Sequence, residues 1–150
     1  MEDFKAIIFS VGNVKFGIDI NRVFSIDRMA SVTVLPRLPS YMRGVLELRG
    51  EVIPLIDLRQ FLLEYDDSEE MNSTRIITVK VDEQPVGLVV DAATDVLNIS
   101  AHTIQRPNLD YEDISFILGV SKLNEDLLIL LDIDKLLENI TNLKELLQRI

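Results

Sequence analysis

The chain has 150 residues, 47% hydrophobic and 27% charged, enough apolar mass for one substantial core or two small ones in contact, and too much for a disordered chain. Its formal charge of −10 excludes a binder of phosphate backbones, which needs clustered Lys and Arg. Cysteine is absent, which removes disulfide scaffolds, thiol catalysis and cysteine-ligated metal sites, and no apolar run approaches the ~18–20 residues of a membrane span.

The opening MEDFKAIIFS carries acidic residues where a signal peptide carries basic ones, and its apolar stretch continues as a strand through Val11. Gly12-Asn13 reads as a hairpin turn, and Val14 to Ile18 returns as a second strand. Asp19 or Asn21 is placed to cap a short helical turn through Val23. Phe24 to Met29 and Val32 to Leu35 read as short strands, stopped by Pro36 and Pro39. A hairpin follows: Gly44 to Leu48, the turn Arg49-Gly50-Glu51, then Val52 to Ile56, with Gly50 supplying the permissive backbone. Pro54 cannot donate to a ladder, so it marks an edge or a bulge. Asp57, with Gln60 three residues later, is the capping box of a short helix.

Glu64 to Thr74 holds five carboxylates and no basic residue, half of the net charge, and reads as a solvated linker. It lacks the Asp-x-Asp-x-Asp-Gly pattern of a calcium loop. Strands resume at Arg75 to Val81 and Val86 to Val90, then a turn over Asp91 to Thr94 and a strand from Asp95 to Ile99. Residues 100–115, with Pro107, form the longest irregular connection. From Lys135 to Ile150 the apolar residues Leu136, Ile140, Leu143, Leu147 and Ile150 step by four and three, an amphipathic helix with one face to bury.

Phe116 to Leu137 repeats Tyr41 to Leu62 at a constant offset of 75 residues: Gly44 falls on Gly119, Val45 on Val120, Leu48 on Leu123, Leu55 on Leu130, Asp57 on Asp132 and Leu62 on Leu137. A looser match aligns Ile7 to Ile26 with Ile77 to Ile99, Gly17 on Gly87. Two copies of one β unit are implied. Short strands at this spacing predict an all-β protein of two small antiparallel barrels. The expected organisation is a first barrel over about 5–63, an acidic linker at 64–74, a second barrel over about 75–134 and a C-terminal helix at 135–150, all within one domain.

Candidate chemistry is sparse. His102 is the only histidine and lies in a polar stretch with no nucleophile elbow elsewhere. The duplication also brings to mind an aspartic hydrolase, in which Asp57 and Asp132 would share a proton. Those enzymes need tight turns after each aspartate, whereas here bulky Leu58-Arg59 and Ile133-Asp134 follow, which suits helix capping better.

Gly44-Val45-Leu46-Glu47-Leu48-Arg49-Gly50-Glu51-Val52-Ile53-Pro54-Leu55-Ile56-Asp57-Leu58-Arg59 resembles the GVxNLRGxVxPxxDLR signature of the CheW family of bacterial chemotaxis coupling proteins. Phe16 to Ile20 followed by Val23, Val86 to Asp91 followed by Asp95-Val96-Leu97, and Leu127 to Leu137 resemble three further segments of that family in order. The resemblance implies two intertwined five-stranded SH3-like barrels and a non-enzymatic, cytoplasmic adaptor without cofactor, metal, nucleic-acid partner or membrane insertion. The implied partners are a chemoreceptor cytoplasmic helical hairpin and the regulatory domain of the histidine kinase CheA; a different kinase pathway on the same scaffold is the alternative. Carried over by motif, the receptor-facing groove would be lined by Ile20, Val23, Ile26 and Val96 with Arg49 at its rim, and the kinase would meet Gly50 and Val52. Two departures stand out: Glu47 occupies the place of a usual Asn, and Ser25 that of a usual charged residue.

Overall fold

A computed structural model describes residues 3–63, 72–106 and 114–140. The strands are β1 (Phe4–Val11), β2 (Val14–Asp19), β3 (Ser25–Arg28), β4 (Met42–Leu48), β5 (Glu51–Asp57), β6 (Arg75–Val81), β7 (Gln84–Val90), β8 (Ala92–Ile99), β9 (Ile117–Leu123) and β10 (Asp126–Leu131). Two short helices, α1 (Leu58–Leu63) and α2 (Ile133–Glu138), each follow a hairpin. One five-stranded sheet has the order β8–β1–β2–β10–β9, the other β3–β6–β7–β5–β4. Advancing every strand of the first sheet by five positions, cyclically, reproduces the second. The duplication read from the glycines and aspartates is therefore present in the topology.

The expected division into a first barrel at 5–63 and a second at 75–134 does not describe the pairing. Each sheet takes strands from both halves: β1 and β2 join β8, β9 and β10, while β3, β4 and β5 join β6 and β7. The physical reason is that period-2 patterning marks a strand's faces and leaves its partners open. The chain crosses between sheets twice, through a 3-10 turn at Ile20–Arg22 after β2 and through the single residue Asp91 after β7. The expected turn over Asp91 to Thr94 is accordingly shorter, because β8 begins at Ala92. The acidic linker and the helix beyond residue 140 fall mostly outside the described residues, at 64–71 and 141–150; α2 covers the start of that expected helix.

The central strands are apolar on both faces because both faces are buried. On β1, Ile7, Phe9 and Val11 face a large cluster shared by the two sheets, joined there by Phe16, Ile77, Val79, Leu88 and Leu136. The alternate residues Ala6 and Ile8 pack with Leu128 and Leu130 inside the first sheet, and Leu46, Leu55, Ile76 and Val89 do the same inside the second. Two small interiors thus flank one shared core. Glycine is required where strands press closest: a Cβ on Gly44 would lie 2.2 Å from the Thr33 carbonyl oxygen, and one on Gly119 would lie 2.8 Å from that of Gln105. Those neighbours belong to the bridges Thr33–Val45 and Gln105–Val120, which bring the chain back onto β4 and β9. Pro54 pairs with Val45, whose own N–H and C=O bond outward to Thr33; the parallel ladder to β7 starts only at Leu55, so no partner misses the proline N–H.

Candidate functional site

The two sheets end in equivalent edge strands, β3 and β8. Ile26 of β3 stands opposite Ile77, and Val96 of β8 stands opposite Ile7; both partners belong to the shared core. Cross-strand partners point to the same face. Ile26 and Val96 therefore continue the shared core outward along its two rims, where they remain 40% and 52% exposed. Ile20 and Val23, on the crossing between β2 and β3, are half-buried against the same core. Ile20 and Asn21 also line an open cleft with Asp3, Phe4, Lys5 and Asn98, so the crossing faces the ends of β1 and β8. The four apolar residues assigned to a groove thus lie along the border of the inter-sheet core, two as its half-buried floor and two exposed.

Arg49 and Gly50 form the two-residue turn between β4 and β5, with φ of 51° and 81°. Both are in the left-handed region, as a hairpin turn that matches strand twist demands. The Arg49 guanidinium reaches across to Asp27 on β3, donating from Nη2 to Oδ1 at 2.7 Å and from Nη1 to Oδ2 at 3.3 Å. β3 and β4 are opposite edges of their sheet, so this ion pair joins the two rims. Ser25 Oγ donates to Asp27 Oδ2 at 2.9 Å. Burial alone raises the Asp27 pKa, but the hydrogen bonds from Arg49 and Ser25 and the Arg49 charge outweigh it and hold the carboxyl below its ordinary value. Gly50 has open space around its Cα, and Val52, next on β5, is 53% exposed. The proposed kinase contacts thus lie beside Arg49, away from Ile20 and Val23 along the chain.

Among the described residues three exposed large apolar side chains, Phe24, Val34 and Leu127, were not singled out by sequence. Phe24, 64% exposed, lies two residues before Ile26, with Lys80 Nζ 4.6 Å from its ring centroid. The alternation Phe24-Ser25-Ile26-Asp27 carried that signal, since one face is apolar and the other polar. Leu127, 63% exposed, occupies in the second hairpin the place of Val52 in the first, so the repeat itself pointed to it.

Of the aspartates considered for catalysis, Asp57 ends β5 of one sheet and Asp132 follows β10 of the other, and both are committed elsewhere. Asp57 is buried, receiving Arg59 Nε on Oδ1 and Arg59 Nη2 on Oδ2, both at 2.9 Å, and the Arg59 backbone N–H at 3.0 Å. Arg59 Nη1 also meets Asp91 Oδ1 at 3.3 Å, while Asp91 Oδ2 accepts the Gly12 N–H at 2.6 Å. Burial would lower the Arg59 pKa, yet Asp57 and then Asp91 raise it above the ordinary value. Asp132 caps α2 by accepting the Lys135 N–H at 3.1 Å. No proton is shared between Asp57 and Asp132, and the hydrolase alternative is withdrawn on that geometry.

Residues 5–141 match the family model described as CheW-like domain. The chemotaxis protein CheW of Klebsiella aerogenes is 37% identical over 136 residues, covering 89% of this chain and 81% of that protein. Protein FrzA of Myxococcus xanthus is 31% identical over 133 residues, covering 87% and 82% respectively. Among solved structures, the crystal structure of the scaffolding protein CheW from Thermoanaerobacter tengcongensis is similar with a TM-score of 0.76 and 29% identity, over 88% of this chain and 86% of that one.

Proposed function

This chain belongs to the CheW-like domain family, and from that premise we propose that it couples transmembrane chemoreceptors to the histidine kinase CheA. It is a chemotaxis scaffold and not an enzyme. In this reading a receptor's cytoplasmic helical hairpin lies along the border of the inter-sheet core, against Ile20, Val23, Ile26 and Val96, with Arg49 at the rim. An amphipathic helix suits such a surface, because spaced apolar anchors meet the floor while a charge sets the register. The kinase regulatory domain meets the turn through Gly50 and Val52, so both partners are held at once. Association with receptor arrays then comes through partners; among the described residues no helix is long and apolar enough to cross a membrane.

The observation that carries the reading is the equivalence of Ile26 and Val96: two edge positions related by the internal repeat, each in register with a core residue, and each left exposed. Structural economy alone would place polar residues on such edges. The test is reconstitution with a soluble receptor hairpin fragment and the kinase regulatory domain, read by size-exclusion chromatography with light scattering. A single complex holding all three is expected. Ile26→Asp should remove only the receptor fragment and Val52→Asp only the kinase domain. Mutually exclusive binding, or loss of both partners in both variants with the fold intact, would overturn the proposal.

A further inference from the structure

Edge strand β3 carries more than one anchor. Phe24, Ile26 and Arg28 are exposed and alternate with the partly buried Ser25 and Asp27, which places the three on one face. The Phe24 N–H donates to the Thr78 carbonyl of β6 at 2.8 Å, so Phe24 continues the strand by one residue. A single exposed apolar side chain needs no explanation, but two in consecutive places on one sheet edge make a patch.

Both ends of this row are basic. Lys80 holds its ammonium 4.6 Å from the Phe24 ring centroid. Arg28 stands opposite Arg75, whose guanidinium donates to the Asn72 and Thr74 carbonyls. Like charges directly opposite one another disfavour a sheet, and this chain of net charge −10 has carboxylates to spare. Yet among the described residues neither Lys80 nor Arg28 is in an ion pair, while nearby Asp27 and Asp134 are matched by Arg49 and Arg22. The rim related by the repeat lacks the pattern. On β8, Asn98 takes the place of Arg28, opposite Lys5, and on the other side of Val96 the strand bulges at Thr94. That rim offers one apolar anchor with no aromatic ring beside it and no pair of guanidinium groups.

We infer that this face of β3 selects the receptor helix: Phe24 and Ile26 seat two apolar residues one turn apart, while Lys80 and Arg28 meet acidic residues one turn farther out at each end. This rests on the proposed receptor role of Ile26. Two strand positions advance about 6.6 Å and four helical positions about 6 Å, so one stripe of a helix keeps step with the row. The occupant is therefore a helix of the receptor hairpin whose stripe reads acidic, apolar, apolar, acidic at steps of three or four. A helix with basic residues at those ends is repelled by the same row.

The experiment measures by calorimetry the Kd of a soluble chemoreceptor hairpin fragment for the full chain and for Phe24→Ala, Arg28→Glu, Lys80→Glu and Ile26→Asp, with every thermal midpoint recorded. Phe24→Ala should weaken binding about tenfold, the scale of a partly buried aromatic ring. Arg28→Glu and Lys80→Glu should each weaken it about five- to tenfold, since each turns an attraction into a repulsion. Added salt should weaken binding by the native chain and should not weaken binding by the Arg28→Glu, Lys80→Glu double variant. Cations that serve only the fold would lower the thermal midpoint and leave the Kd and its salt dependence alone, which overturns the inference. If Phe24→Ala and both charge reversals bind normally while Ile26→Asp does not, the selecting row falls and the receptor reading stands. If Ile26→Asp also binds normally, the receptor reading falls first, and the inference with it.

Discussion

Asp57 ends β5 and Asp132 directly follows β10, and each donates its backbone N–H to a residue sixteen positions earlier, Tyr41 in one copy and Phe116 in the other. Two residues on, the copies part. Arg59 turns back into the interior, onto Asp57 and onto Asp91, the residue at which the chain passes between sheets. Its counterpart Asp134 faces solvent and pairs with Arg22, on the other passage between sheets. Both passages are tied to a short helix by an ion pair with the polarity reversed, one buried and one at the surface. The duplicated backbone is a constraint shared by both copies, and charge placement is where they have become different.

That contrast is sharpest in stability. Arg59→Ala removes the cation that the buried Asp57 shares with Asp91, leaving Asp57 with Arg43 Nη1 at 3.4 Å, and should cost about 3–5 kcal/mol. Asp134→Ala removes an exposed partner and should cost less than about 1 kcal/mol. Urea midpoints at fixed m-value decide it, and similar losses in the two variants would break the comparison.

A smaller difference is expected at the matched glycines. Gly44→Ala meets the Thr33 carbonyl and also strains a backbone at φ 129°, whereas Gly119→Ala meets mainly the Ile104 side chain and the Gln105 carbonyl. Losses of about 2–4 kcal/mol for the first and about 1–2 kcal/mol for the second follow, by thermal or urea unfolding. The reverse order would mean that side-chain crowding outweighs backbone strain.

These glycines also explain what could be read in advance. Gly44 and Gly119, Asp57 and Asp132 are held by close approach and by helix starts, which leave few residue types, so the repeat survived where constraint was local. The exchange of strands between halves had no such mark. Val86 to Val90 would look alike beside any partner, and the parallel pairings of β2 with β10 and of β5 with β7 join residues far apart in sequence. The residues proposed for the groove were chosen by resemblance of motif, and only the register separates the half-buried Ile20 and Val23 from the exposed Ile26 and Val96. Asp27 was missed because its importance lies in a contact with a turn 22 residues away.

The smallest effect expected is that of pH on how each sheet is closed. The Asp27 carboxyl is held below the ordinary aspartate value of 3.8, so its contribution is complete above that value and disappears as pH falls through the lower folded one. The edge strand of the other sheet has Leu97 in that place, a side chain that does not titrate. The Thr33 and Gln105 amides report the two closures separately, since they bond to Val45 and Val120 at 2.8 Å each. Hydrogen exchange should show protection of Thr33 falling relative to Gln105 as pH drops below about 3.8, by a factor of up to about five. Asp27→Asn should show the reduced ratio at every pH. A ratio that stays constant in the native chain would mean that the Thr33 bridge is held by the hairpin alone, and that the ion pair orients Arg49 without closing the sheet.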